Sequence, residues 1–273
     1  MALLYILLVV LLVAGAFAYR SIAKKRRRAG LLATPLTPDQ RDRLARLVPL
    51  ASRLPEEHRA AFEGKINLFL DQMTFHGHQG LEINEEMKLS IAAQACLLVV
   101  NSPLWYETLR TILVYPSEFF TGHGRHEGFL VHESDSMTAG ESWARGPVVL
   151  SWNHALKGGL DPDDGHNVVI HEFAHQLDSL TGDTNGIPVL RRGQRYDGWE
   201  KAMLEAYNGH VARVEAGHRS LIDPYGATNH EEFFAEATVT FFERPQAMRR
   251  EEAALYAQLA ELFALDPAEW AER

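Results

Sequence analysis

Cysteine is almost missing from this chain. Its 273 residues include one, Cys96, which excludes an internal disulfide. Cys96 lies in the apolar segment AAQACLLVV with no histidine close in sequence, so it reads as packed core and not as an activated nucleophile. Basic charge is also scarce, with 27 Lys+Arg against 36 Asp+Glu. Six of those basic residues (Arg20, Lys24, Lys25, Arg26, Arg27 and Arg28) form one cluster. The remainder is therefore strongly acidic and repels nucleic acid, which is excluded as a partner. No internal repeat or long low-complexity tract is visible. The carboxylate-rich DPDDG at 161–165 lacks the spacing and terminal Glu of an EF-hand and reads as a turn.

Long hydrophobic runs are absent except at the N-terminus, where Ala2 to Tyr19 is uncharged and apolar. About 20 apolar residues span a bilayer, and this run is at the short end of that range. A cleavable signal peptide is the rival reading, because Ala14-Gly15-Ala16 and Ala16-Phe17-Ala18 resemble cleavage sites. The basic cluster, however, follows the apolar run, whereas a signal peptide carries its charges in front. The positive-inside rule keeps that flank in the cytoplasm. The expectation is an uncleaved transmembrane helix at 1–19, a basic linker at 20–36 touching anionic headgroups, and a single domain at 37–273. This places the chain in the inner (cytoplasmic) membrane as a single-pass protein with its main domain in the cytoplasm.

The domain itself reads as α+β and mainly helical. TPDQRDRLARLVPLASRLP, with a capping threonine, predicts a helix around 37–55. EEHRAAFEGKINLFLDQMTF and NEEMKLSIAAQACLLVVNS predict two more, joined by a loop at His76-Gly77-His78 and Gly80, and amphipathic helices follow at 197–217 and 247–264. Thr111–Tyr115, Gly128–His132 and Pro147–Trp152 are strand candidates, rich in β-branched and aromatic residues, giving a small three- or four-stranded sheet.

The chemistry is stated in NVVIHEFAHQLD. His171 and His175 are four apart, so on a helix they stand one turn above each other and can offer two imidazoles to one metal, with Glu172 beside it. Zinc lowers the pKa of a bound water to about 7, within reach of a carboxylate base. Val168, Val169, Ile170, Phe173, Ala174 and Leu177 make the helix a buried one, where two histidines are costly without partners. Asp178 shares their face and suits a carboxylate that orients an imidazole, with a helix-end role as the alternative. His123, His126, His132, His154 and His166 read as surface or packing residues.

A catalytic zinc site of this type needs a third protein ligand. In DPYGATNHEEFFAEATVTFFERP, Asn229 is an N-cap and the apolar helix after it stops before Pro245. Glu232 and Glu236 share one face, while Glu231 suits a solvated helix N-terminus. The residues alone leave Glu232 and Glu236 both open.

GPVVLSWNHAL, DGHNVVIHEFAHQLD, ILVYPSEF and IDPYGATNHEEFFAEATVTFF together resemble the Mlc titration factor A family of zinc metallopeptidases, over roughly residues 40–265. The resemblance implies a zincin-like, gluzincin-type domain in which His171, His175 and Glu232 hold Zn2+ and Glu172 is the general base. It also implies that Tyr225 contributes a transition-state-stabilising hydroxyl. Alone, Tyr225 between Pro224 and Gly226 reads as a turn residue with a packed ring. Val148, Val149, Leu150, Ser151 and Trp152 are the candidate substrate strand, where an extended peptide could add by main-chain hydrogen bonds. The expected activity is hydrolysis of a peptide or protein substrate, with an aminopeptidase suggested by the resemblance. The alternative is a regulatory protein that sequesters a transcriptional regulator, with hydrolysis secondary.

Overall fold

The computed structural model describes residues 2–117 and 146–270, apart from the side chains of Leu3, Ile6 and Leu8. Helix α1 (Ala2–Ala33) leads into α2 (Pro38–Leu47), the short α3 (Pro49–Ser52), α4 (Glu56–Gln72), strand β1 (Thr74–Gly77) and α5 (Glu85–Leu97). Strands β2 (Thr111–Tyr115) and β3 (Val148–Ser151) precede α6 (Trp152–Leu160), α7 (Val168–Asp178), α8 (Tyr196–Glu215), α9 (His230–Glu243), α10 (Pro245–Glu251) and α11 (Ala253–Phe263). The class is the expected one, α+β and mainly helical.

Local chemistry accounts for most helix starts. Thr37 and Gln40 form a reciprocal capping box at α2, and Asn84, Asn167 and Asn229 each accept a backbone N–H at the start of α5, α7 and α9. The helix expected over 37–55 breaks at Val48, because Pro49 has no N–H to give to the preceding turn. The one expected at 247–264 starts earlier and breaks at Glu252, which leaves helical geometry at φ −130° and separates α10 from α11. The core centres on α5, whose residues from Leu89 to Leu97 are all buried. Against it pack α2, α4, α6 and α7.

The sheet has three parallel strands in the order β1-β2-β3, with Phe75 opposite Ile112 and Ile112 opposite Val148. Strand β1 replaces the last two residues of an expected helix, Thr74 and Phe75, and the first two of the expected loop, His76 and Gly77, which pair with β2. The fourth candidate strand, Gly128–His132, lies outside the described residues.

The N-terminal region departs most from expectation. Among the described residues no helix is long and apolar enough to cross a membrane, so the expected transmembrane helix is not found. Ala2–Tyr19 covers only about 27 Å at 1.5 Å per residue, less than a hydrocarbon core of about 30 Å, and α1 then continues as a basic helix. Residues 20–33, expected to be a linker, are helical and their end is docked. A Cβ on Gly64 of α4 would lie 2.1 Å from the Leu32 carbonyl oxygen, so only glycine permits this approach. Arg27 pairs with Asp71, and the Arg28 guanidinium reaches Glu107 at 3.3 Å and lies 5.5 Å from the Trp105 ring centre.

Candidate metal centre

Helix α7 begins at Asn167, whose side chain accepts from Ile170 N at 2.9 Å. Its buried face carries Val169, Ile170, Phe173, Ala174 and Leu177. The helix ends through a turn at Ser179–Thr181 and Gly182, which takes φ +104°. Helix α9 is capped by Asn229 and crosses α7 with Phe233, Phe234, Phe241 and Phe242 buried. This apolar packing brings α9's acidic face onto the two histidines of α7.

Three donor atoms converge there. His171 Nε2 is 3.0 Å from His175 Nε2 and 3.1 Å from Glu232 Oε2, and His175 Nε2 is 3.3 Å from the same oxygen. A tetrahedral zinc with bonds of about 2.05 Å separates its donors by about 3.3 Å, so this triangle fits such an ion. Among the described residues it is the one His/Cys/Asp/Glu group whose donor atoms meet closely enough to share a metal. His171 Nδ1–H donates to Glu236 Oε1 at 2.9 Å, so Nε2 is the nitrogen that faces the centre and would offer its lone pair once its proton gives way to a metal.

Electrostatics also favour a cation. Burial pushes the His171 imidazolium down, but hydrogen bonds to Glu232 and Glu236, with the charges of Glu236 and Glu172, overcome it and hold its pKa at about 10. A pocket that retains positive charge against burial suits a divalent ion. Zinc leads among candidates for a two-imidazole, one-carboxylate set, and manganese or iron share that donor preference.

Tyr225 sits in the short turn Pro224–Ala227, held by Asp223 Oδ1, which accepts from Tyr225 N at 2.8 Å. Its hydroxyl donates to Glu232 Oε1 at 3.3 Å, and its ring centre is 6.2 Å from that of His171. Burial and the Glu232 carboxylate push the phenol well above its ordinary range, so it remains a neutral donor. Glu172 is half-buried, and its charge acts on both His171 and Tyr225.

The other sequence candidates divide. Asp178 is buried, but its Oδ2 accepts from Gly186 N at 2.7 Å and makes no hydrogen bond to His175. Burial raises its pKa to about 6 despite three backbone N–H partners. It staples the loop at 185–187, and Glu236 is the carboxylate on an imidazole. Sequence spacing placed Glu236 on the correct face, but only the crossing of α9 over α7 shows which histidine atom it meets. Val148, Val149, Leu150 and Ser151 form β3, one of the two outer strands among the described residues and packed against α7. Trp152 instead opens α6. Cys96 is fully buried, and burial pushes its thiol far above the reactive range, as its surroundings implied.

Comparison with known proteins meets this geometry. A family model described as glucose-regulated metallo-peptidase M90 matches residues 22–264, which defines a metallopeptidase-type chain. An uncharacterized protein of Synechocystis sp. is 39% identical over 246 residues, 88% of this chain and 89% of the relative. Mlc titration factor A of Escherichia coli O7:K1 is 30% identical over 225 residues, 81% of this chain and 84% of the relative. The chain belongs to the Mlc titration factor A family of metallopeptidases, as its motifs implied.

Proposed function

We propose that this protein is a zinc-dependent, zincin-like peptidase of the gluzincin type, in which His171, His175 and Glu232 hold the metal. The observation that carries the reading is the donor triangle with sides of 3.0 to 3.3 Å, built from two helices. When bound, the ion supplies Lewis acidity toward a water and a peptide carbonyl. The Glu172 carboxylate accepts the proton of the attacking water and later delivers it to the leaving amine. The Tyr225 hydroxyl turns from Glu232 to the developing oxyanion and donates a hydrogen bond to it. Strand β3 offers its outer edge to an extended peptide by main-chain hydrogen bonds. An aminopeptidase is the activity that the family resemblance favours.

Glu172→Gln should keep zinc and lose at least ~100-fold in turnover on chromogenic peptides, whereas His175→Ala should lose both. Metal analysis and assays on the full chain check this, and a fully active Glu172→Gln protein would remove the general base from the scheme.

The second reading is sequestration of a regulator, favoured by the name of the E. coli relative, which describes titration of Mlc. Pull-down with Glu172→Gln separates the two. A captured protein that wild type degrades supports hydrolysis, and a stable partner that survives wild type supports sequestration.

We further propose that α1 attaches the protein to the inner membrane with the catalytic body on the cytoplasmic side. Leu4, Tyr5, Leu7, Val10, Leu11, Leu12, Val13, Phe17 and Tyr19 are exposed around this helix, and an apolar surface on all sides needs an apolar partner. Recovery of the full chain with membranes is expected, and recovery of a form starting near Tyr19 from the periplasm would overturn the placement.

A further inference from the structure

Glu243, at the last turn of α9, is buried and takes no part in the chemistry above. Its Oε1 accepts from Asn167 Nδ2 at 2.9 Å and its Oε2 from Gly165 N at 3.0 Å. Asn167 is itself 4% exposed, and its other amide hydrogen goes to Gly158 O at 3.0 Å. The same side chain caps α7 through Ile170 N, and the Asn167 backbone carbonyl accepts from His171 N at 3.0 Å. One carboxylate on α9 therefore fixes the residue from which the metal-binding turn of α7 starts.

The placement along the two helices gives this contact its meaning. Positions 232, 236 and 243 fall within about 40° of one another around an α-helix, so all three acids point from one stripe of α9 toward α7. Glu232 meets His171 and His175, Glu236 meets His171, and Glu243 meets Asn167. The contacts step along α7 in reverse order, as an antiparallel crossing requires. A slip of one residue between the helices shifts them by about 1.5 Å, enough to separate the donors of the metal triangle. The apolar contacts between α7 and α9 carry no hydrogen-bond directionality, whereas a buried carboxylate with two N–H donors accepts one register.

We infer that Glu243 is a positioning residue that locks the register of α7 against α9 through Asn167 and so sets the spacing of His171 and His175 relative to Glu232. The consequence for metal affinity rests on the metal-centre reading, but the lock itself does not.

Two variants test it on the full chain. At pH 9, where the Glu243 carboxyl is ionised, Glu243→Gln is isosteric but turns an N–H donor toward Asn167 or Gly165, so it opposes donor to donor. Glu243→Asp keeps two acceptor oxygens on the same stripe of α9 but draws them back by one carbon, so it serves as the conservative comparison. In chelator, the amides from Ile170 to Ala174 of Glu243→Gln should exchange with deuterium at least ~10-fold faster than in wild type, while those of α5 keep wild-type protection. With zinc added, competition against a chromophoric chelator should show affinity reduced by roughly 10-fold, as loss of groups behind a metal ligand commonly does. Glu243→Asp should lose less than Glu243→Gln on both measures. Wild-type exchange in Glu243→Gln, or a Glu243→Asp chain no better than Glu243→Gln, overturns the lock. A wild-type chain that takes no zinc sinks the metal centre instead, and the exchange measurement still decides the lock.

Discussion

At the scale of single residues, function is concentrated in side chains that are polar and almost without water. His171 and Glu232 are nearly fully buried beside each other, a costly arrangement unless charge and hydrogen bonds are matched. Glu236 and the Tyr225 hydroxyl complete that matching. Tyr225→Phe should therefore leave zinc content unchanged and lower kcat by ~10² to 10³, with a smaller effect on KM, as removal of an oxyanion donor does in other enzymes. Steady-state kinetics on a peptide substrate with parallel metal analysis check this, and unchanged kcat would return Tyr225 to a packing role. The shared face of His171 and His175 was legible because four-residue spacing on a helix brings two side chains together, as their 3.0 Å approach shows. Asp178, expected first to orient an imidazole, accepts from Gly186 N at 2.7 Å instead, because the path of the loop that brings that N–H to it is a tertiary choice.

At the scale of elements, local signals announced α7 and α9 correctly, α7 by its apolar spacing and the turn at Gly182 and α9 by the Asn229 cap and Pro245, while the Asn167 cap of α7 emerged from the structure. Strand β1 was not legible, because four residues with glycine and histidine carry no alternation of their own and owe their form to pairing with β2. The docking of α1 on α4 was equally hidden. Gly64 in the middle of α4 is the one signal for it, and its meaning needs the neighbour at Leu32. Gly64→Val should push the end of α1 away from α4 and loosen Arg27 from Asp71. Limited trypsin digestion should then cut among Arg20 to Arg28 several-fold faster than in wild type, with the body from α4 onward remaining intact. Equal digestion rates would show that α1 tolerates a side chain at that crossing.

At the scale of the molecule, one buried acid couples stability to pH. Burial raises the pKa of Glu243 to about 8, assisted by the Asp164 charge and opposed by hydrogen bonds from Asn167, Gly165 and His166. A folded-state pKa above the ordinary 4.5 means that the contribution is fully present below pH 4.5 and is lost as pH rises through about 8. Urea denaturation of metal-free protein between pH 5 and 8 should show wild type losing stability with rising pH relative to Glu243→Gln. Parallel curves for the two proteins would mean that the carboxyl is already ionised across this range.

The sequence by itself determined most of the longer helices, the Thr37 and Asn229 caps, the two-histidine spacing and the acidic face of α9, all set by steric and hydrogen-bond preferences within a few residues of chain. It also determined the family, because several motifs recur in order over most of the chain. Only the tertiary structure decided which acid meets which imidazole, that Glu236 orients His171, that Asp178 serves a loop, and that the basic stretch after Tyr19 is docked helix. Those outcomes depend on how α9 crosses α7 and how α1 approaches α4, and such crossings are fixed by packing between residues far apart in the chain.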